Sequence, residues 1–420
     1  MAMKLTDHEK DILDGREGPA AQIALSSLVD LGEAFGAEEL IAVSQAHIDA
    51  AVYMVDAQIE FVERLADLGA RVSIPSSLNA ASIDLKNPQA LRVPDTLLEK
   101  CRRLEKAYLK MGATPTWTCA PYQQGMMPRF GECIAWGESN AIVFANSVIG
   151  ARTIRYGDLM DVCAAIVGKA PNFGLYLSRH RKAELLIKLD SPSRGLLNHA
   201  VGFPLLGYVL GELAKDRIAA IHGFPPMVPT DCLKAFCAAA ASSGAVSLIH
   251  IVGHTPEAQT LEMCLGDSKL KEVHEISFKM IRDTAEKLST AKSDHLDLVT
   301  VGCPHFSFAE FQQLARLMNR RKVHGSLAFW VFTSRTVYGW IENTGMLGEL
   351  TRAGVMVFSD GCPLEYPQES WRFHTAMSNS AKFANYCYPQ RGLDVAYGSL
   401  EECVESAVKG IVCRKDRLWR

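Results

Sequence analysis

The sequence predicts an α/β protein of mostly parallel sheets flanked by helices, and three observations carry that expectation. Short apolar runs alternate with helical patterns from Leu40 to Ser359, the order expected of βα units whose parallel strands need a crossover between them. No Gly/Ser or Pro linker, internal repeat or low-complexity segment cuts the chain. Its 420 residues are enough for about three domains around sizeable cores.

In order, Thr6 with Glu9 fits a capping box, with a short helix that Gly15 can end. Pro19–Phe35 reads as an amphipathic helix, Leu40–Ser44 as a strand, Tyr53–Gly69 as a helix, Arg71–Pro75 as a strand and Pro94–Gly112 as a long charged helix. The run Thr114–Thr118 leads to Cys119. Helices follow over Glu138–Gly150 and Asp158–Gly168, then strands near Phe173–Leu177, Glu184–Leu189 and Arg217–His222. Thr230–Ala241 reads as helix, Ala245–Val252 as strand and Glu272–Leu288 as helix. The last third repeats the theme with strands at Leu296–Val301, Leu327–Thr333 and Val355–Ser359. Seams are expected near Gly112 and Ser293, within one interlocked body spanning residues 1–420.

Composition narrows the function classes. Hydrophobic residues make up 48% and charged residues 22%, and 44 basic against 47 acidic residues give a net charge of −3. That balance points to no nucleic acid or other polyanion as partner, and the basic cluster Arg320, Arg321, Lys322 reads as a helix-dipole cap. The start MAMKLTDHEK lacks the apolar stretch of a signal peptide, and no uncharged apolar run reaches the length of a membrane span. A cytoplasmic protein is expected, so the 12 cysteines read as buried thiols or ligands rather than disulfides.

Three cysteines share one setting. Cys119, Cys303 and Cys362 each follow an apolar β run, and ligands of open α/β sheets bind outside the carboxyl ends of strands. Cys303 and Cys362 are each followed by proline, which has no donor and a fixed φ. Three thiolates suit an iron–sulfur cluster with one iron open to substrate; the alternative is small buried hydrophobes. There is no C-x-x-C pair, no phosphate-binding glycine loop and no G-x-S-x-G elbow.

Between Cys119 and Arg155 lies a polar stripe. On a helix, Ser139 and Asn146, like Asn140 and Ser147, are seven apart and share a face that would be costly to bury without partners. A small polar substrate is one candidate partner. Arg152 and Arg155 follow, either as a fork for a carboxylate or as surface ion pairs. His47, His254 and His305 sit near strand ends, as hydrogen-bonding groups for substrate or cluster or as satisfied structural histidines. Lys382 reads as a charged substrate contact or a helix-surface lysine.

The runs Thr118-Cys119-Ala120-Pro121-Tyr122, Trp136-Gly137-Glu138-Ser139-Asn140, Ala145-Asn146-Ser147-Val148-Ile149-Gly150-Ala151-Arg152-Thr153, Gly302-Cys303-Pro304-His305 and Asn379-Ser380-Ala381-Lys382 resemble the large subunit of aconitase X, and the likeness runs from Leu5 almost to the C-terminus. The resemblance implies an iron–sulfur hydro-lyase with the three-domain catalytic body of aconitases, lacking their swivelling domain. It carries over Cys119, Cys303 and Cys362 as cluster ligands, leaving the nuclearity open, with His305 and Lys382 as catalytic candidates. His47, Ser139, Asn140, Asn146, Ser147, Arg152 and Arg155 become candidates for substrate binding. Gly361 stands where many relatives carry threonine. The chain stops at Arg420 after a helical pattern, so a separate small swivelling subunit supplying a serine base is expected.

Two family activities are implied: dehydration of cis-3-hydroxy-L-proline to Δ1-pyrroline-2-carboxylate, and dehydration of mevalonate 5-phosphate. Abundant cysteine and the absence of dense ion-pair patterning favour the first, the activity of bacterial relatives. Outside this class stand a zinc hydrolase and a binding scaffold without chemistry of its own.

Overall fold

A computed structural model describes residues 3–266, 270, 272–366 and 373–414. The first third holds strands β1 (Leu40–Ala42), β2 (Ala46–Ile48), β3 (Ser76–Leu78), β4 (Ala135–Trp136) and β5 (Lys169–Pro171). Here β2 is the centre of a parallel sheet in the order β3-β2-β4, and β1 pairs antiparallel with β5. The next stretch holds β6 (Leu185–Leu189), β7 (Ala219–His222), β8 (Ile249–Ile251) and β9 (Glu272–Ile276), all parallel in the order β8-β7-β6-β9. The last third holds β10 (Leu298–Phe306), β11 (Ala328–Thr333), β12 (Val355–Ser359), β13 (Thr375–Ser378) and β14 (Asp394–Tyr397), all parallel in the order β12-β11-β10-β13-β14. β2, β3 and β13 are buried at every residue, as parallel strands covered on both faces must be. The α/β class with mostly parallel sheets is the one the alternating pattern predicts.

Several elements differ from expectation for local reasons. Arg71–Pro75 does not pair; the ladder begins at Ser76, just after Pro75, which has no N–H to give. Thr114–Thr118 contributes only a bridge from Thr114 to Ser77, because Pro115 lacks a donor and Trp117 turns to φ +44°. In place of a strand, Phe173–Leu177 holds a single turn, Gly174–Tyr176, and β5 precedes it. Glu272–Leu288 splits into β9 and the helix Phe278–Lys287, which Ser277 caps by accepting from the Met280 N–H. The helix Gly202–Ala214 has almost no polar face: eleven of its 13 residues are buried, and it crosses the helix Thr230–Ser243 closely. A Cβ on Gly207 would lie 2.2 Å from the Phe236 carbonyl oxygen. The sheet of β3, β2 and β4 joins residues on both sides of Gly112. Among the described residues no helix is long and apolar enough to cross a membrane.

Candidate active site

Cys119, Cys303 and Cys362 open onto one cavity of about 190 Å³, which Glu138, Ser139, His305 and Lys382 also line. Cys303 lies inside β10, where the register with β11 breaks between Val301 and Phe306, and its bond to Pro304 is cis. Gly302 makes this detour possible: its φ is +99°, and a Cβ there would sit 2.2 Å from the Phe332 carbonyl oxygen. Cys362 follows β12, and its loop is stitched to the first third by Ala81 N–H to the Asp360 carbonyl (2.8 Å) and Cys362 N–H to the Ala81 carbonyl (2.9 Å). At Gly361 a Cβ would meet the Tyr366 ring at 2.7 Å, so here the tyrosine takes the space a larger residue would need. Asp360, at φ +65°, is held by two hydrogen bonds from the Arg335 guanidinium (3.1 and 2.6 Å).

His305 knits the three thiol loops together. Its backbone N–H donates to the Cys119 sulfur (3.3 Å), its Nε2–H to the Gly361 carbonyl (2.9 Å), and its Nδ1 accepts from the Thr118 hydroxyl (3.3 Å). Lys234, 1% exposed and paired with Glu310 and Asp231, donates to the His305 carbonyl (3.1 Å). Burial lowers the His305 ring to about 4, so it is neutral, with both nitrogens occupied. Burial likewise pushes Cys119 up to about 12 and raises Cys303, with the Lys382 charge opposing in both. Cys362 is held well above the thiol range, first by burial and then by Glu365.

Lys382 comes from the helix Ala381–Arg391, capped by Ser380, whose hydroxyl accepts from the Phe383 N–H and donates to the Cys303 carbonyl. Its ammonium reaches Glu138 at 2.7 Å and Ser139 Oγ at 3.2 Å. Glu138 is also the N-cap of the helix Ser139–Phe144, accepting from the Ala141 N–H (2.8 Å) and Asn140 Nδ2 (2.6 Å). Burial works against both charges. The Glu138 charge, aided by nearby thiols, outweighs it and holds Lys382 well above its ordinary value, while Lys382, the Ala141 N–H and His47 hold Glu138 below its own.

The rest of the polar stripe is not at the cavity. After Phe144 the helix continues as a π-helical turn, Ala145–Ile149, ending at the left-handed Gly150. The wider turn breaks the seven-residue register. Asn146 is instead tied to the Thr153 and Ser247 carbonyls (both 3.0 Å) and to Arg181, and Ser147 Oγ accepts from the Ile249 N–H (2.8 Å). Asn140 faces inward, donating to the Cys119 carbonyl (2.6 Å) and accepting from the Tyr122 hydroxyl (2.9 Å). Arg152 is spent on the Tyr176 carbonyl and Ser178 Oγ (2.7 and 2.9 Å), and Arg155 lines a different hollow, beside Phe35 and Phe173. His47 lies in β2, its Nδ1 2.8 Å from Ser77 Oγ, and burial lowers it to about 4. Larger hollows exist, such as the one of about 510 Å³ around Arg320, Arg321, Lys322 and Arg352, but no cysteine lines it.

Sequence reasoning passed over Glu138, Asn79, Asp49 and Glu365. Asp49 and Asn79 directly follow β2 and β3, and Glu138 stands two residues past β4, so one sheet edge delivers all three. Position at a strand's carboxyl end was the available signal. Asn79 Nδ2 donates to Asp49, whose N–H donates to Asp161 (2.6 Å). Burial, with Glu138 and Asp161 nearby, holds the Asp49 carboxyl well above the carboxylate range, and burial pushes Asp161 up to about 7.

Models of the three aconitase X domains match in sequence: the first over residues 2–179, the second over 183–286 and the third over 296–409. The chain is 40% identical to a cis-3-hydroxy-L-proline dehydratase of Pseudomonas aeruginosa, over 97% of this chain and 70% of that one. It is 33% identical to a phosphomevalonate dehydratase large subunit of Methanocaldococcus jannaschii, over 96% of this chain and 100% of the other. Both relatives are dehydratases, that is, hydro-lyases. The crystal structure of Thermococcus kodakaraensis aconitase X in its holo-form superposes with a TM-score of 0.87 at 31% identity, covering 96% of this chain and all of that one. Three family domains in succession, relatives aligned along nearly all of this chain and a shared three-dimensional structure lead to one conclusion: the chain belongs to the aconitase X family.

Proposed function

We propose that this chain dehydrates cis-3-hydroxy-L-proline to Δ1-pyrroline-2-carboxylate, with Cys119, Cys303 and Cys362 holding an iron–sulfur cluster. The observation that carries the reading is the cavity itself: three thiols from distant parts of the chain around about 190 Å³, beside a buried lysine–carboxylate pair. The donor set fits a cluster. Thiols pushed up by burial ionise when a metal replaces the proton, and the His305 N–H already points at the Cys119 sulfur. Bound there, the cluster supplies a Lewis-acidic iron to the hydroxyl that leaves as water.

This chain's own groups bind and orient. Lys382, fixed by Glu138 and Ser139, takes the substrate carboxylate, the role the sequence suggested for Arg152 or Arg155. His305 keeps the thiol loops in register; with both ring nitrogens engaged it is a positioning residue. Glu138 is committed to Lys382, so the Cα proton goes to a base outside this chain, which we assign to a serine of a small swivelling subunit. The full-length match to a chain named as a large subunit supports such a partner. Loss of the Cα proton and the hydroxyl gives an enamine, which tautomerises to the ring imine.

The second reading, dehydration of mevalonate 5-phosphate, draws on that same match. The cavity's charge favours the first: among the described lining residues Lys382 is the one lysine or arginine, against Glu138 and Glu365, whereas a phosphate group calls for several cationic donors. Anaerobic reconstitution of the chain with a small subunit, assayed on both substrates, decides between them. The reading fails if cis-3-hydroxy-L-proline is not turned over. The cluster assignment fails if the iron-replete protein lacks sulfur-to-iron charge-transfer absorbance, or if Cys303→Ser keeps it.

A further inference from the structure

We infer that Asn79, backed by Asp49, is the subsite that accepts the substrate's ring ammonium and so sets the preference for an amine over a phosphorylated hydroxy acid. This rests on the reading above and deepens it. Asn79 lines the cavity and is only 7% exposed. Its backbone N–H is pinned to the Ile48 carbonyl (2.9 Å), and its Nδ2 donates to Asp49. That contact turns Oδ1 away from Asp49, and among the described residues this oxygen has no partner. A buried acceptor left unpaired is costly unless something fills it.

The substrate has three polar groups. The hydroxyl leaves, and the carboxylate goes to Lys382. The remaining group is a secondary ammonium, a pure donor, and among the described cavity-lining residues Asn79 Oδ1, a pure acceptor, is the buried side-chain atom without a partner. Asp49 behind the amide orients it by accepting from Nδ2, and Gly137 lets it sit there: a Cβ on Gly137 would lie 2.7 Å from the Asp49 Cβ and 2.3 Å from an Asp161 oxygen. Mevalonate 5-phosphate has no N–H to offer this site.

The test uses two unreactive inhibitors, L-proline and its ring-oxygen analogue tetrahydrofuran-2-carboxylate, against the cluster-loaded chain with its small subunit. The wild type should prefer L-proline, and Asn79→Leu should raise the L-proline inhibition constant about ten-fold or more, as loss of a hydrogen bond to a charged group does, leaving the analogue's unchanged. Asn79→Asp, which keeps an acceptor, should retain the preference. Equal weakening of both inhibitors, or no change in either, overturns the inference. If Asn79→Leu melts below assay temperature, Asp49→Ala, which removes the acceptor that orients the Asn79 amide, must narrow the preference instead, and an unchanged preference there overturns it too. Turnover of mevalonate 5-phosphate alone would sink the functional reading, whereas loss of hydroxyproline selectivity is judged by the inhibitor pair.

Discussion

Breaking the Glu138–Lys382 pair from either side should destabilise the protein unequally. The two side chains are 6% and 14% exposed and meet at 2.7 Å. Removing one partner of such a pair strands the other charge, at a cost of about 3–5 kcal/mol. Lys382→Met leaves Glu138 with the Ala141 N–H, Asn140 Nδ2 and the Ser139 hydroxyl (3.2 Å), so its cost falls near the lower end. Glu138→Gln leaves the Lys382 ammonium with neutral acceptors only, Ser139 Oγ and the new amide oxygen, so its cost falls near the upper end. The double variant strands no charge, and the coupling should be about 2–3 kcal/mol. Urea denaturation of the four proteins, followed by tryptophan fluorescence, measures it. Burial opposes both charges, yet Glu138 is lowered from 4.5 and Lys382 raised from 10.5. The pair's stabilisation is therefore present above pH 4.5 and lost as pH falls through the folded Glu138 value. On the alkaline side it is present below pH 10.5 and lost only as pH rises through the folded Lys382 value. Single costs that add to within about 0.5 kcal/mol in the double variant would refute the reasoning.

Three other substitutions probe the frame around the thiols. Gly302→Ala places a Cβ 2.2 Å from the Phe332 carbonyl oxygen at φ +99°, so a loss of about 2–4 kcal/mol is expected; an unchanged melting temperature would contradict it. Asp161, raised by burial from 3.8 to about 7, contributes stability that is full below pH 3.8 and lost as pH rises through 7. Asp161→Asn should flatten that decline, and parallel pH curves for the two proteins would show the group titrates elsewhere. Arg335→Met removes both donors to the buried Asp360 and should loosen the loop that ends in Cys362. Mass spectrometry of alkylated protein should then find Cys362 labelling faster relative to Cys119.

The sheets were legible wherever a strand carried a run of large apolar residues, as β11 (Phe-Trp-Val-Phe) and β12 (Val-Met-Val-Phe) do. They were not where burial is total and unpatterned: β13 reads Thr-Ala-Met-Ser, and the helix Gly202–Ala214 has no polar stripe from which to take a period. In the site, the three cysteines were legible because thiol chemistry names its own candidates. Asn79 and Glu138 were not, because an asparagine after a strand and a glutamate at a helix start are ordinary, and only the fold brings them to the cavity. The Ser/Asn stripe misled because its spacing assumed a regular α-helix, whereas the chain turns π-helical at Ala145.

That misreading locates a different role for the stripe. Cys119, Glu138 and Asn79 reach the cavity from the first family domain and Cys303, Cys362 and Lys382 from the third, while no described residue of the second lines it. Yet Asn146 and Ser147, on the same helical run that Glu138 caps, grip Ser247 and Ile249 of the second domain, and Arg181 locks the turn from behind. These bonds tie the helical run that Glu138 caps to the second domain. If that tie sets the axis of the helix, Asn146→Ala should disturb the Glu138–Lys382 pair without touching anything in the cavity, and an unchanged coupling energy between Glu138 and Lys382 in that background would show that it does not.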